Sequence, residues 1–335
     1  MIVSTPARRV VVAGASGYIG RALVAELVVR GHDVVALCRP DPAGGTELAS
    51  ALAPAQLRCG DFTDADALAK DGFAGPTPDA VFSCIASRTG GPADAWRVER
   101  DANLNLLAAA RRCGVPHFVL LSAICVQKPR LAFQHAKLAF EAELRKSGLR
   151  WSIVRPTAYF KSLAGQIRRV RDGKPFLVFG DGTLTACKPI GERDLARFLA
   201  DCLDDVGKHD AIMPIGGPGP AITPRAQGEL LFELTDRPPK FRRVPPALLQ
   251  AVGTGLRLAA RVLPMLADKA ELARIGHYYA TESMLVWNEQ RARYLADATP
   301  EFGTETLQDF YERVLEEGLI GQDLGQHAVF DRRSP

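Results

Sequence analysis

Residues 14 to 20 read Gly14-Ala15-Ser16-Gly17-Tyr18-Ile19-Gly20, three glycines at intervals of three that follow an apolar run and open a helical pattern. Glycines so placed serve anion binding: the first permits a tight turn, the second lets the backbone approach a pyrophosphate, and the third lets helix pack closely on strand. The helix N-terminus then attracts the negative charge. The run is therefore a dinucleotide site, with Gly14, Ser16, Gly17, Tyr18, Ile19 and Gly20 as cofactor contacts. Arg39, nineteen residues beyond Gly20, stands where an NAD-specific site places an acid against the ribose hydroxyls. A guanidinium there suits a 2′-phosphate and hence NADPH, with Asp41 as the competing ribose ligand if Arg39 is only a loop residue. Asp61 and Ala86, after the third and fourth apolar runs, are placed to flank adenine and the nearer ribose.

Such a turn needs a sheet behind it, and the chain supplies one. Short apolar runs at 10–13, 33–37, 56–59, 80–84, 117–121 and 151–154 alternate with helical patterns at 19–30, 96–112 and 131–146. That alternation predicts an α/β fold with a Rossmann-type doubly wound parallel sheet. The expected organisation is an NADP-binding part at 1–155, then a smaller, interleaved substrate-binding part at 156–325 with some segments returning to the sheet, and a polar tail at 326–335. In that second part a helix is expected at 192–203 and a strand at 212–215. With 42 Lys and Arg against 38 Asp and Glu, the formal net charge is +4, too slight for a nucleic-acid binder. Seven cysteines without a paired spacing support neither a disulfide framework nor a metal site. They fit a reducing cytoplasm, as does an N-terminus that runs without an apolar leader into the glycine turn.

The most apolar stretch, 244–267, carries Arg257 and Arg261 and is broken by three prolines, which argues against a membrane span. Leu248, Val252, Leu256, Ala259 and Leu263 recur at helical spacing, so an amphipathic helix with one face buried on the domain is expected. Peripheral contact with a membrane surface is the competing use of such a face.

The first half resembles the extended and atypical short-chain dehydrogenase/reductase superfamily, through the glycine turn, the Gly60-Asp61 pair and the strand end Leu121-Ser122-Ala123. Members with carbonyl chemistry carry a Tyr-x-x-x-Lys helix, in which tyrosine protonates the nascent alkoxide and lysine holds the nicotinamide ribose. Here the segment is Phe133-Gln134-His135-Ala136-Lys137. Lys137 is retained, whereas a phenyl ring at 133 has no proton to give. His135 is two positions from Lys137 and points elsewhere on the helix. Ordinary ketone reduction needs an acid at the oxygen that becomes charged. A carbon-carbon double bond conjugated to a large π system does not, because the charge left by hydride addition spreads over the ring system, and a weak acid or water completes the reaction. By the same resemblance Ser122 and Pro156, at the ends of the fifth and sixth strands, join the cofactor contacts.

A longer likeness, from about residue 9 to 310, is to the NADPH-dependent divinyl chlorophyllide a 8-vinyl reductases of photosynthetic organisms. Its most specific segments are Ala186-Cys187-Lys188-Pro189-Ile190 and Tyr278-Tyr279-Ala280-Thr281-Glu282-Ser283-Met284. The resemblance implies reduction of the 8-vinyl group of divinyl chlorophyllide or protochlorophyllide to ethyl, in chlorophyll and bacteriochlorophyll synthesis. It implies NADPH as cofactor and Lys137 as the ribose anchor, with Phe133 bordering the hydride-transfer face. It also suggests a cytoplasmic enzyme that meets its pigment at the photosynthetic membrane. Candidate pigment contacts are Tyr159 and Phe160 after the sixth strand, Cys187 and Lys188 in the first specific segment, and His277 as a ligand of the central magnesium. Two other readings keep the glycine turn and dispense with the tyrosine: a nonenzymatic NADP-binding regulator, and a structural subunit of a membrane redox complex.

Overall fold

In the first strand, β1 (Arg9–Ala13), Val10 and Val12 belong to one apolar cluster and Val11 and Ala13 to another, all four fully buried. A strand apolar on both faces has to be covered on both, which is the condition of a parallel sheet between helical layers. In the computed structural model, which describes residues 6–39, 45–87 and 89–318, this is what forms. The strands that follow are β2 (Asp33–Cys38), β3 (Gln56–Cys59), β4 (Ala80–Ser83), β5 (His117–Leu121), β6 (Arg150–Pro156), β7 (Phe176–Phe179), β8 (Ala211–Ile215), β9 (Phe241–Val244), β10 (Val286–Asn288) and β11 (Arg293–Leu295). Seven of them make one parallel sheet in the order β3-β2-β1-β4-β5-β6-β8. Strand order reverses between β1 and β4, and a crevice opens there at the carboxyl ends of the strands.

Helices Tyr18–Val29 and Glu192–Asp201 cover one face through Leu23, Leu27, Leu195 and Leu199; Ala102–Arg112 and Ala132–Arg145 cover the other through Leu106, Phe140 and Leu144. Residues 92–112 form one helical rod whose middle turn, Trp96–Asp101, is widened to a π-helical pitch. Past β6 the chain builds a second apolar centre, where Phe160, Phe176, Leu231 and Phe310 gather around the parallel pair β7-β9. β8 returns to the edge of the main sheet beside β6, and β10 and β11 form a short antiparallel hairpin.

One expectation fails. Helix Pro246–Ala259 packs on the following helix Ala267–Thr281, yet of its own residues only Gly253 is buried. Leu248 is 54% exposed and Val252 45%, so the apolar stripe expected to face the core faces outward. The helix is apolar around most of its circumference, and hydrophobic periodicity cannot select a buried face when two faces carry it. No helix among the described residues is long and apolar enough to cross a membrane. Asp41 and the tail from 326 lie outside the described residues.

Candidate active site

The glycine turn sits at the reversal point. Gly14 adopts a left-handed conformation (φ +79°), and its N–H donates to Leu37 O at 3.0 Å; a Cβ there would lie 2.7 Å from Cys84 O. At Gly20 a Cβ would meet Gly14 O at 2.2 Å, so only glycine lets the helix lie this close to the strand. A Cβ on Gly17 would approach nothing nearer than Gly14 O at 3.2 Å. The helix starts without a side-chain cap and its first internal bond is Arg21 N–H to Gly17 O, so the amides of Tyr18, Ile19 and Gly20 have no helical acceptor. Open donors at a positive helix end beside a glycine cradle fit a pyrophosphate. Ile19 contributes backbone only, its side chain being buried in the core. The Tyr18 hydroxyl donates to Glu192 Oε2 at 2.5 Å, and its ring meets Tyr159 edge-on. Burial first, then the charge of and hydrogen bond to Glu192, push this hydroxyl far above its ordinary pKa, so Tyr18 ties the turn to the helix at Glu192–Asp201.

Around this cradle, Arg39 is exposed at the end of β2 without an ion pair to any described residue, and Ala86 is exposed past β4. Asp61 is also exposed, but its carboxylate accepts from the Thr63 hydroxyl at 2.6 Å and amide at 2.8 Å, bonds that hold its pKa below the ordinary value. It shapes the turn after β3 and keeps its free lone pairs toward solvent.

Lys137 sits near the carboxyl end of β4, where its charge reaches Cys84. Its Nζ lies 2.7 Å from Glu99 Oε2, with the two side chains 11% and 4% exposed. Glu99 Oε1 accepts from the Ser87 amide at 2.9 Å, and Glu99 O accepts from Asn103 Nδ2 at 3.0 Å, while Asn103 Oδ1 takes the Ser83 hydroxyl at 2.5 Å. One buried carboxylate thus fixes the lysine head at the end of β4. An ammonium has three donors, and the contact with Glu99 Oε2 is an ion pair by distance, not an aligned hydrogen bond. Sequence reasoning overlooked Glu99. Its signal was present: Ala95, Glu99, Ala102 and Leu106 fall on one buried stripe of the rod, and a carboxylate on such a stripe requires a partner.

The thiols of Cys84 and Cys125 feel the charge of Lys137, and both are weak acids. The Cys84 thiol is pushed up to about 12 by burial, against the pull of the Lys137 charge. Tyr159, beside Cys84, Cys125 and Glu99, is raised above its ordinary value by burial and then by those neighbours. Phe133 packs in the cluster of Ile124, Cys125, Leu131, Tyr278 and Met284, so no acid stands one turn before the lysine.

Other expected contacts are engaged elsewhere. The Ser122 hydroxyl is buried and donates to Glu141 Oε1 at 2.5 Å, and Glu141 pairs with Arg155. Pro156 is buried at the end of β6, in register with Ile215. Phe160 is fully buried and packs on Phe310, which removes it as a platform for a flat ligand, while Tyr159 next to it is partly buried against the sheet core and the Tyr18 ring. Cys187 and Lys188 are each 6% exposed. Lys188 pairs with Glu301, and Cys187 bridges the segments of Ile222 and Met284, its thiol pushed up to about 12 by burial. His277 lies outside the crevice, in a cleft shared with Arg130, Arg257 and Arg274. Three cations around one imidazole are a poor setting for a magnesium ligand.

The two segments most specific in sequence meet each other. The Met284 amide donates to Ala186 O and the Ala186 amide to Ser283 Oγ, both at 3.0 Å. The Tyr278 hydroxyl donates to Cys125 O at 2.9 Å, and Glu282 accepts from Lys128 and Tyr294, each at 2.6 Å, and pairs with Arg130. Together they clamp the loop after β5 that carries Cys125 toward Lys137.

Comparison with known proteins agrees with this geometry. An NAD(P)H-binding family model matches residues 14–206. The chain is 50% identical over 331 residues to the divinyl chlorophyllide a 8-vinyl-reductase of Oryza sativa subsp. indica, covering 96% of this chain and 82% of the rice protein. It is 46% identical over 332 residues to the protein of the same name in Arabidopsis thaliana, covering 95% and 79%. Among solved structures, an NADPH-dependent quinone oxidoreductase from Escherichia coli complexed with NADPH superposes with a TM-score of 0.64 at 17% identity, over 91% of this chain and 99% of that one. A UDP-glucose 4-epimerase from Thermotoga maritima gives 0.67 at 18% identity, over 92% and 97%.

Proposed function

Since the chain belongs to the divinyl chlorophyllide a 8-vinyl-reductase family, we propose that it reduces the 8-vinyl group of 3,8-divinyl chlorophyllide a, or of the protochlorophyllide, to ethyl at the Lys137 crevice, with NADPH as reductant. The observation that carries this reading is a lysine retained and locked by Glu99 with phenylalanine one turn before it, a cofactor site without the acid of a ketone reductase. NADPH, when bound, supplies a hydride, and the vinyl group needs in addition one proton. The glycine cradle and the amides of residues 18–20 would hold the pyrophosphate, Arg39 the 2′-phosphate, and the ammonium of Lys137 the nicotinamide ribose.

Hydride arriving at a vinyl conjugated to a tetrapyrrole leaves charge spread through the macrocycle, so proton delivery to carbon tolerates a weak acid. Tyr159 is that acid in this reading. Burial raises its pKa, which keeps the hydroxyl protonated through neutral pH and makes it a weak donor that gives its proton only to the strongly basic carbanion, the tyrosinate then regaining a proton from solvent. The part from residue 156 onward forms the pigment side of the site, and the enzyme works in the cytoplasm, meeting pigment at the surface of the photosynthetic membrane.

The direct test is purified protein with divinyl chlorophyllide a and NADPH, NADH in parallel, and chromatographic separation of pigments. The 8-ethyl product with NADPH is the expected result. Intact NADPH binding with no product from detergent-dissolved pigment would reject the reading.

A further inference from the structure

Outside the crevice, the largest unexplained feature is the helical hairpin of Pro246–Ala259 and Ala267–Thr281. The first helix rests on the second through Gly253, while Leu248, Ala251, Val252, Gly255 and Leu258, on the opposite arc, are all exposed. No charged residue interrupts that arc. The turn between the helices carries the motif outward: Val262 is 81% exposed, Leu263 51% and Met265 78%. Single exposed apolar residues are ordinary on a protein surface, whereas a continuous apolar arc ending in an apolar tip marks an interaction face.

Charge identifies the partner. Between residues 242 and 269 stand Arg242, Arg243, Arg257, Arg261 and Lys269 against Asp268 alone, an excess of four that equals the formal net charge of the whole chain. The remainder of the molecule is balanced, and two of these cations, Arg261 and Lys269, flank the apolar 262–265 tip. Both are exposed and have no ion pair among the described residues, whereas Arg257 lies one turn after Gly253, in the cleft on the far side of the helix from the arc. A second copy docked here about a two-fold axis would set these two cations against their own counterparts. An anionic bilayer offers what the face lacks on both counts, acyl chains for the apolar arc and phosphates for the cations at its tip.

We propose that this hairpin is a monotopic docking element that seats the protein on anionic lipid, with the 262–265 tip inserted at the headgroup boundary and Arg261 and Lys269 beside it on phosphate oxygens. The inference rests on the pigment reading above in one respect, that an apolar substrate is to be collected at a membrane. Its test does not depend on turnover.

The full chain would be sedimented with vesicles of phosphatidylcholine alone and of phosphatidylcholine with phosphatidylglycerol, at low and high salt. Binding is expected to the mixed vesicles and to weaken at high salt, since interactions between exposed charges are screened. The variant Val262→Asp/Met265→Asp should bind at least about tenfold more weakly, because each apolar side chain kept out of the boundary forfeits its transfer free energy. Its reductase rate on detergent-dissolved pigment should match the parent, and circular dichroism should show an unchanged fold. A parent chain that ignores anionic vesicles, or a variant that binds them as the parent does, would overturn the proposal. So would velocity sedimentation showing a parent dimer that the variant loses, since a second copy would then cover this face. Vesicle binding without turnover would leave the docking element standing and reject the catalytic reading alone.

Discussion

Replacing Lys137 by methionine separates what this lysine does for the fold from what it does for the reaction. Methionine keeps the unbranched stem and removes the ammonium, leaving Glu99 with a side chain 4% exposed, its Oε2 without the cation and its Oε1 still bonded to the Ser87 amide. Removing one partner of a buried ion pair costs roughly 3–5 kcal/mol, and the surviving amide bond places this case near the lower end, about 3 kcal/mol. With an unfolding entropy of about 2.1 cal/mol/K per residue, that lowers the melting temperature by ~4–5 °C. Adding Glu99→Gln removes the stranded charge while an amide oxygen still accepts from Ser87, so the double variant should recover about 2 kcal/mol of the loss. Turnover should not recover, because glutamine and methionine offer no ammonium to the ribose. Thermal unfolding and initial rates on all four proteins of the cycle make the comparison. A double variant that regains both stability and rate would refute the reasoning, leaving Lys137 as the structural partner of Glu99 only.

The remaining predictions concern the cradle, the cofactor choice, the acid and the clamp. Gly20→Ala brings a Cβ to within 2.2 Å of Gly14 O, which the helix can relieve only by moving away from β1, so NADPH affinity by fluorescence titration should fall by more than about tenfold in a folded protein. Arg39→Asp should lose about 10- to 100-fold in kcat/KM with NADPH, the worth of a charge-assisted hydrogen bond, and little with NADH; an unaltered preference would remove Arg39 from the phosphate site. Tyr159→Phe should lower kcat with KM for NADPH unchanged, and a normal kcat would assign the proton to water. Burial alone would raise the Glu282 pKa, but hydrogen bonds from Lys128 and Tyr294 and the charge of Arg130 outweigh it and hold the carboxyl below its ordinary 4.5. A depressed carboxyl stabilises the fold fully above the unfolded-state value and loses that contribution as pH falls through the folded one. Denaturant titrations should therefore show stability dropping below about pH 4.5 in the parent, with a shallower drop in Glu282→Gln.

Much of the fold was legible because two signals leave little choice. Apolar runs of four to six residues separated by helical patterns admit few architectures besides a parallel sheet, and three glycines between strand and helix mark where the chain must pass close to itself. Lys137 was legible as the survivor of a motif, and the stripe through Glu99 called for a partner without saying which. Glu99 reaches Lys137 across 38 positions through the widened turn at Trp96–Asp101, and neither the distance nor the π-helical phase is written in local periodicity. The helix Pro246–Ala259 misled for the opposite reason, since an apolar stripe states that a face will be covered without stating by what.

Residues that distinguish a family in sequence need not touch its substrate, and the engaged side chains here argue that many do not. Lys188 is committed to Glu301, Cys187 to backbone bridges, Tyr278 to the carbonyls of Cys125 and Lys128, and Glu282 to two cations and a phenol. The contacts of Tyr278 and Glu282 end on the loop after β5 or on the hairpin beside it, and Cys187 lies in the apolar cluster packed against that loop. A reductase that has given up a tyrosine proton donor depends on holding its remaining groups at fixed distance from Lys137, because a misplacement of about 1 Å at a reacting centre costs on the order of a hundredfold in rate. Substitutions in the clamp should then reduce kcat while leaving NADPH affinity intact, since the glycine cradle follows β1, which β4 separates from β5. Loss of cofactor binding in a folded Glu282→Gln protein would show instead that the clamp and the cradle are one mechanical unit.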